Sequence, residues 1–165
     1  MNILKKKFLI IIGVAFISFN AFSHCEIPCG IYHDSLRINL IKEHISTIEK
    51  SMMKINELKN QDTPNYNQLV RWISNKEEHA NKIQNIATQY FMFQRIKVSN
   101  DKHLQRRNSK MLKLLHELCV YAMKSKQTTD LDFIVKINRV VEKFSTLYFQ
   151  KKKHKHFKKK ITFYL

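Results

Sequence analysis

Ser35-Leu-Arg-Ile-Asn-Leu-Ile-Lys-Glu-His-Ile-Ser-Thr-Ile-Glu-Lys-Ser-Met-Met-Lys-Ile-Asn-Glu-Leu-Lys59 is the stretch on which the fold turns. Ile41, Ile45, Ile48, Met52 and Ile55 recur at alternating steps of four and three, the spacing of one helical face. Asp34 or Ser35 supplies the N-cap. Three more segments repeat the pattern. The second begins near Pro64, a residue suited to a first turn, and carries Tyr66, Leu69, Ile73, Ala80, Ile83, Ala87 and Tyr90. Lys76 is the one polar interruption of that stripe. The third spans Asp101 to Lys124, with Leu104, Met111, Leu114, Leu118 and Tyr121 on one face. The fourth follows a Thr128-Thr129-Asp130 cap, carries Phe133, Ile137, Val140, Phe144 and Leu147, and fades into a lysine-rich tail. Amphipathic helices of this length with short connections predict an all-α, antiparallel up-and-down four-helix bundle over 34–149.

Composition supports this reading. The chain has 165 residues with only two Gly and two Pro, too few breakers for a β-sandwich. The segment before the first helix has another character. Lys5 to Lys7 form a charged start, Phe8 to Phe19 an apolar run, and Ala21-Phe22-Ser23 the small-residue pattern of a signal-peptidase site. The apolar run is shorter than the roughly 20 residues that span a bilayer. Residues 1–23 are therefore expected to be a cleaved signal peptide, with the protein exported to the periplasm or beyond. The membrane is then met only in passing, through that signal. Cleavage removes three of the net +17 charges, and seven of the remaining positive charges are lysines between Lys151 and Lys160. A solvated tail over 150–165 is the simplest reading. The alternative is anion binding with stacking on Phe157, Phe163 and Tyr164, although no specific nucleic-acid partner is expected.

The helices offer little chemistry. No Glu has a His three residues on, so the di-metal pattern of helical bundles is missing. Glu77, Glu78 and His79 are consecutive and fan around their helix, while His44, His103 and His116 have no partner at helical spacing. There is no Gly-rich phosphate loop and no Gly-x-Ser-x-Gly elbow. Cys119 sits in an apolar helical stretch and reads as a core thiol.

Donors concentrate instead in the hook of residues 24–33, which begins His24-Cys25-Glu26-Ile27-Pro28-Cys29-Gly30-Ile31-Tyr32. Cutting after Ser23 makes His24 the first residue, with a free amine beside its imidazole. That amine, the amide nitrogen of Cys25 and the thiolates of Cys25 and Cys29 can lie in one plane. Such a set suits Ni(II) or Cu(II), whereas zinc wants a fourth ligand, for which only Glu26 or His33 is near. The imidazole is then free to approach axially. Pro28 restricts the turn, Gly30 permits an unusual exit angle, and the Tyr32 phenol can gate access to small anions. A Cys25–Cys29 disulfide would close a very small ring across Pro28.

The hook resembles that of the nickel superoxide dismutase family, His-Cys-x-x-Pro-Cys-Gly-x-Tyr, at every fixed position. Asn65-Tyr-Asn-Gln-Leu-Val-Arg-Trp72, Asn75-Lys-Glu-Glu-His-Ala80 and Thr88-Gln-Tyr-Phe-Met92 are similar to one form of the same family. The likeness spans His24 to Tyr148. It implies disproportionation of superoxide to dioxygen and hydrogen peroxide, with one nickel per subunit cycling between Ni(II) and Ni(III) in a homohexamer. It also implies that His24, Cys25 and Cys29 bind the metal and that Tyr32 guards it. Asn39 falls where the family places a residue bonded to the axial imidazole, His79 is a candidate for a further member of that network, and Tyr90 matches a second tyrosine. Signal peptidase becomes the partner that creates the amine ligand. The alternative is an exported nickel or copper carrier without turnover.

Overall fold

The computed structural model describes residues 30–161, with side chains through Gln150. The expected signal peptide and hook residues 24–29, with His24, Cys25, Pro28 and Cys29 among them, lie outside the described residues. Those described are helical, with no strand. Helix α1 is Asp34–Lys59, α2 is Tyr66–Asn85, α3 is Lys102–Gln127 and α4 is Asp132–Ile161. A π-helical segment, Ile86–Arg95, continues α2 without a break.

Side-chain pairs fix the direction of each helix. His44 meets His79 and Ser51 meets Asn75, so α1 and α2 run antiparallel. Gln84 reaches Cys119 while Lys126 reaches Asn81, which makes α2 and α3 antiparallel. Arg107 bonds the carbonyls of Leu147 and Tyr148, and Tyr121 faces Phe133, so α3 and α4 alternate as well. Lys42 pairs with Glu142, and Asp34 with Tyr148, closing α4 back onto α1. Apolar residues from all four helices meet inside this ring, led by Ile41, Ile45, Ile48, Met52, Ile83, Phe91, Leu115, Leu118, Ile137 and Phe144.

The α1 stripe is buried as its spacing requires. Elsewhere the buried face differs from the expected one. Tyr66 and Ile73 are exposed and, with Val70, line an outer face of α2. Leu115 takes the core position in α3 while Leu114 is half-buried, and Ile134 does so in α4 beside a half-buried Phe133. The shifts in α3 and α4 are single positions in helices whose apolar arc is wider than one stripe. The polar interruption at Lys76 has a purpose. Its side chain is buried, and its ammonium donates to the carbonyls of Lys126 (2.7 Å) and Thr128 (3.0 Å), satisfying backbone acceptors at the end of α3.

Caps settle the helix starts. Asn65 accepts from the Gln68 amide, and Asp101 from the amides of His103 and Leu104. Asp130 accepts from the Asp132 amide, within the expected cap before α4. At α1 the cap is neither Asp34 nor Ser35. His33 Nδ1 accepts the Leu36 amide at 3.1 Å, which frees Asp34 to turn inward.

Candidate functional site

A carboxylate that no longer caps a helix needs other partners. Asp34 is 4% exposed, immediately behind the hook. Arg95 grips it with Nε on Oδ1 and Nη2 on Oδ2, both at 2.8 Å. Tyr90 donates its hydroxyl to Oδ1 at 2.7 Å, and Tyr148 donates to Oδ2 at 3.0 Å. Arg95 Nε also reaches the Tyr148 hydroxyl at 3.1 Å. Three side chains from the π-helical segment and α4 thus converge on one carboxylate of α1.

The π-helix makes this convergence possible. In an α-helix, residues five apart point about 140° from one another. Hydrogen bonds from residue i to i+5 bring such residues back to the same side. The Ile96 amide bonds the Phe91 carbonyl at 3.0 Å in this register. Tyr90 and Arg95 are five apart and both reach Asp34.

Electrostatics keeps these groups in single protonation states. Burial raises the Tyr90 hydroxyl well above its ordinary value, and its bond to Asp34 adds to the shift. Burial and the Asp34 charge push Tyr148 up to about 12. For Arg95, burial works against the charge, but the bonds to Asp34 and Tyr148 outweigh it and the net shift is upward. At neutral pH the cluster holds two neutral phenols, and Arg95 is a guanidinium.

Tyr32 rests on this cluster. Its ring lies 4.2 Å from the Arg95 guanidinium and meets Tyr90 edge-on at 5.9 Å. Arg37 covers the Tyr90 ring at 5.0 Å. Cation–π contacts of this kind contribute about 0.5–2 kcal/mol each. Gly30 has φ +81, a backbone state that side chains resist, and it turns the chain just before Tyr32.

Of the residues expected to support the hook, the structure brings Tyr32 and Tyr90 together. Asn39 is exposed on α1. His79 lies elsewhere, with its Nδ1 3.1 Å from that of His44. His44 has no partner at helical spacing, as the sequence reads; its partner sits on the neighbouring helix. Burial first, then mutual proximity and Lys82, lowers the His44 pKa; burial and Lys82 lower that of His79. Asp34, Arg95 and Tyr148 escaped the sequence reading. Asp34 looked like a cap, and Arg95 and Tyr148 merely ended their segments; the one available signal was an acid directly behind the hook. Cys119 is a half-buried free thiol packed against the core, and burial raises its pKa. Among the described residues no three His, Cys, Asp or Glu side chains gather as a metal site.

A family model described as nickel-containing superoxide dismutase matches residues 19–152. No curated protein and no solved structure matches the chain.

Proposed function

The chain belongs to the nickel-containing superoxide dismutase family and is a nickel-dependent oxidoreductase acting on superoxide; on that premise we propose that its metal is held by the N-terminal hook and steadied by the Asp34 cluster. The donor set fits nickel. The His24 amine and imidazole, the Cys25 amide and thiolate, and the Cys29 thiolate would hold it, combining nitrogen with soft sulfur donors of the kind that nickel takes. Bound there, nickel supplies one-electron exchange with superoxide by moving between Ni(II) and Ni(III).

The remaining work falls to the chain. Peroxide formation needs protons. Tyr90 and Tyr148 already donate inward to Asp34 and resist ionisation. The phenol left for the task is Tyr32, whose Oη we place at the open side of the hook as donor and as a guard against larger ligands. Arg95 orients that ring from below while its charge stays neutralised by Asp34. The observation that carries this reading is the seating of Tyr32 on Arg95 and Tyr90. The net positive chain favours approach of a small anion.

Export follows in this reading from the signal-like start, with the protein in the periplasm or outside the cell and signal peptidase exposing the His24 amine. Assembly as a homohexamer is supported by the exposed apolar line Tyr66, Val70 and Ile73 on α2, which a second copy can cover. The four antiparallel helices then serve as a bundle that carries one hook per subunit. N-terminal sequencing of the exported protein, with nickel analysis, tests the assignment. Sequence starting at His24 with one nickel per chain is expected. Extending the mature chain by a single alanine should abolish superoxide consumption, and full activity in that variant would reject the amine ligand.

A further inference from the structure

The seam between α1 and α2 carries polar pairs that the Asp34 cluster does not use. Ser51 Oγ accepts from Asn75 at 3.0 Å, and farther along the seam the Nδ1 atoms of His44 and His79 lie 3.1 Å apart. His44 is ten residues beyond Asp34, so the imidazole pair sits about 15 Å along α1 from that cluster. Both rings are half-buried, beside the core positions Ile41, Ile45 and Ile48 of α1 and Ala80 and Ile83 of α2.

Two nitrogens so placed can share a proton or share an ion. Sharing a proton requires one ring with hydrogen on Nδ1 and the other with hydrogen on Nε2. Sharing an ion requires both Nδ1 lone pairs. An ion held by imidazole nitrogens at about 2.0–2.1 Å, with its bond angle between square and tetrahedral, sets them about 2.8–3.4 Å apart. The observed separation falls inside that range. The rings meet at 79° with centroids 4.9 Å apart, so they do not stack. Neither has another hydrogen-bond partner among the described residues, which leaves both able to turn toward a common point.

The surrounding charge accepts a cation. Lys82 repels positive charge at both rings, but its ammonium is paired with Glu78 at 2.6 Å. The Glu43 carboxylate favours positive charge at both. Burial weakens their hold on a proton, so at neutral pH the rings offer lone pairs instead. No third His, Cys, Asp or Glu joins them among the described residues, and water fills the remaining positions from the exposed side. Two neutral imidazoles without a thiolate rank Cu(II) above Ni(II) and Zn(II).

We propose that His44 and His79 form a second metal site, a two-imidazole clamp for Cu(II) that joins α1 to α2 and is separate from the hook. An ion that binds the folded seam and not the unfolded chain also stabilises the bundle.

The test uses the full mature chain loaded with nickel, with His154→Gln and His156→Gln as background so that the tail offers no competing imidazoles. On titration with copper(II) chloride it should take up one copper per chain while its nickel content stays constant. The copper part of the electron paramagnetic resonance spectrum should show splitting from two nitrogens, and thermal unfolding should shift upward. Adding His44→Gln or His79→Gln should abolish both the two-nitrogen pattern and the thermal shift. Unchanged nickel content and circular dichroism in these variants will show that a ligand was lost and not the fold. Equal copper uptake by the background protein and both variants, or a two-nitrogen pattern that survives His79→Gln, would overturn the proposal and leave the imidazoles as a hydrogen-bonded pair only.

Discussion

Replacing Asp34 with Asn keeps the shape of the side chain and removes its charge. The carboxylate accepts four hydrogen bonds at 2.7–3.0 Å, two of them from one guanidinium. The amide can still accept through its oxygen, but its NH₂ must face Arg95 Nη2 or the Tyr148 hydroxyl, each of which is already donating. Hydrogen bonds to charged groups contribute about 1.5–3 kcal/mol each, and breaking a buried pair from one side costs about 3–5 kcal/mol. Arg95 is partly solvated, with a side chain 22% exposed, so water recovers some of the loss. We expect Asp34→Asn to cost about 3 kcal/mol in urea unfolding followed by circular dichroism, at one fixed subunit concentration. Arg95→Met should cost a similar amount. The double variant should be about 2 kcal/mol more stable than the sum of the singles, because it leaves no orphaned charge. Superoxide consumption by the nickel-loaded Asp34→Asn protein should fall as well, since the Tyr32 platform loosens. A single-variant loss below about 1 kcal/mol, or strict additivity in the cycle, would refute the claim that this carboxylate organises the end of the molecule.

Tyr32→Phe keeps a ring over Arg95 and removes Oη; nickel content should hold while turnover drops by about tenfold or more, and an unchanged rate across pH would dismiss the hydroxyl as proton donor. His44 and His79 both titrate below their ordinary 6.5, so the fold favours their neutral forms. Their contribution to stability is complete above pH 6.5 and is lost as pH falls through the lowered values. Thermal melts of the parent should therefore drop on acidification, and the double variant His44→Gln/His79→Gln should drop less; parallel curves would count against the pair. Lys76→Met leaves the Lys126 and Thr128 carbonyls without their donor, and chemical denaturation should show a loss of about 2 kcal/mol. A change within experimental scatter would mean that water replaces the ammonium.

Helix number and type were legible because burial is periodic. The Ile41-Ile45-Ile48-Met52 stripe admits no other reading, whereas the start of the second helix is shifted: Pro64, expected in its first turn, lies outside it, and Asn65 is the cap. What escaped was cross-helix chemistry. Spacing along one helix says nothing of a partner on the next, so His44–His79 and Lys76 with its two carbonyls were invisible. The π-helical segment was hidden for another reason. Ile86 to Arg95 has the composition of any amphipathic helix, and the shift to i+5 bonding pays off only when Tyr90 and Arg95 meet a carboxylate more than fifty residues away. Of the candidate site, Tyr32 was readable from its place directly behind the hook, and the support beneath it was not; the hook ligands lie outside the described residues.

The bond from Tyr148 to Asp34 also has a place in time. Asp34 belongs to the first of the described helices to leave the ribosome, and Tyr148 to the last. Arg95, too, emerges only after half the chain is made. A nascent protein therefore has its Arg95 and Tyr148 contacts to Asp34 only once synthesis is well advanced. Asp34 and its partners thus come from both ends of the described chain, and the cluster beneath Tyr32 is complete only when nearly all of it has been made.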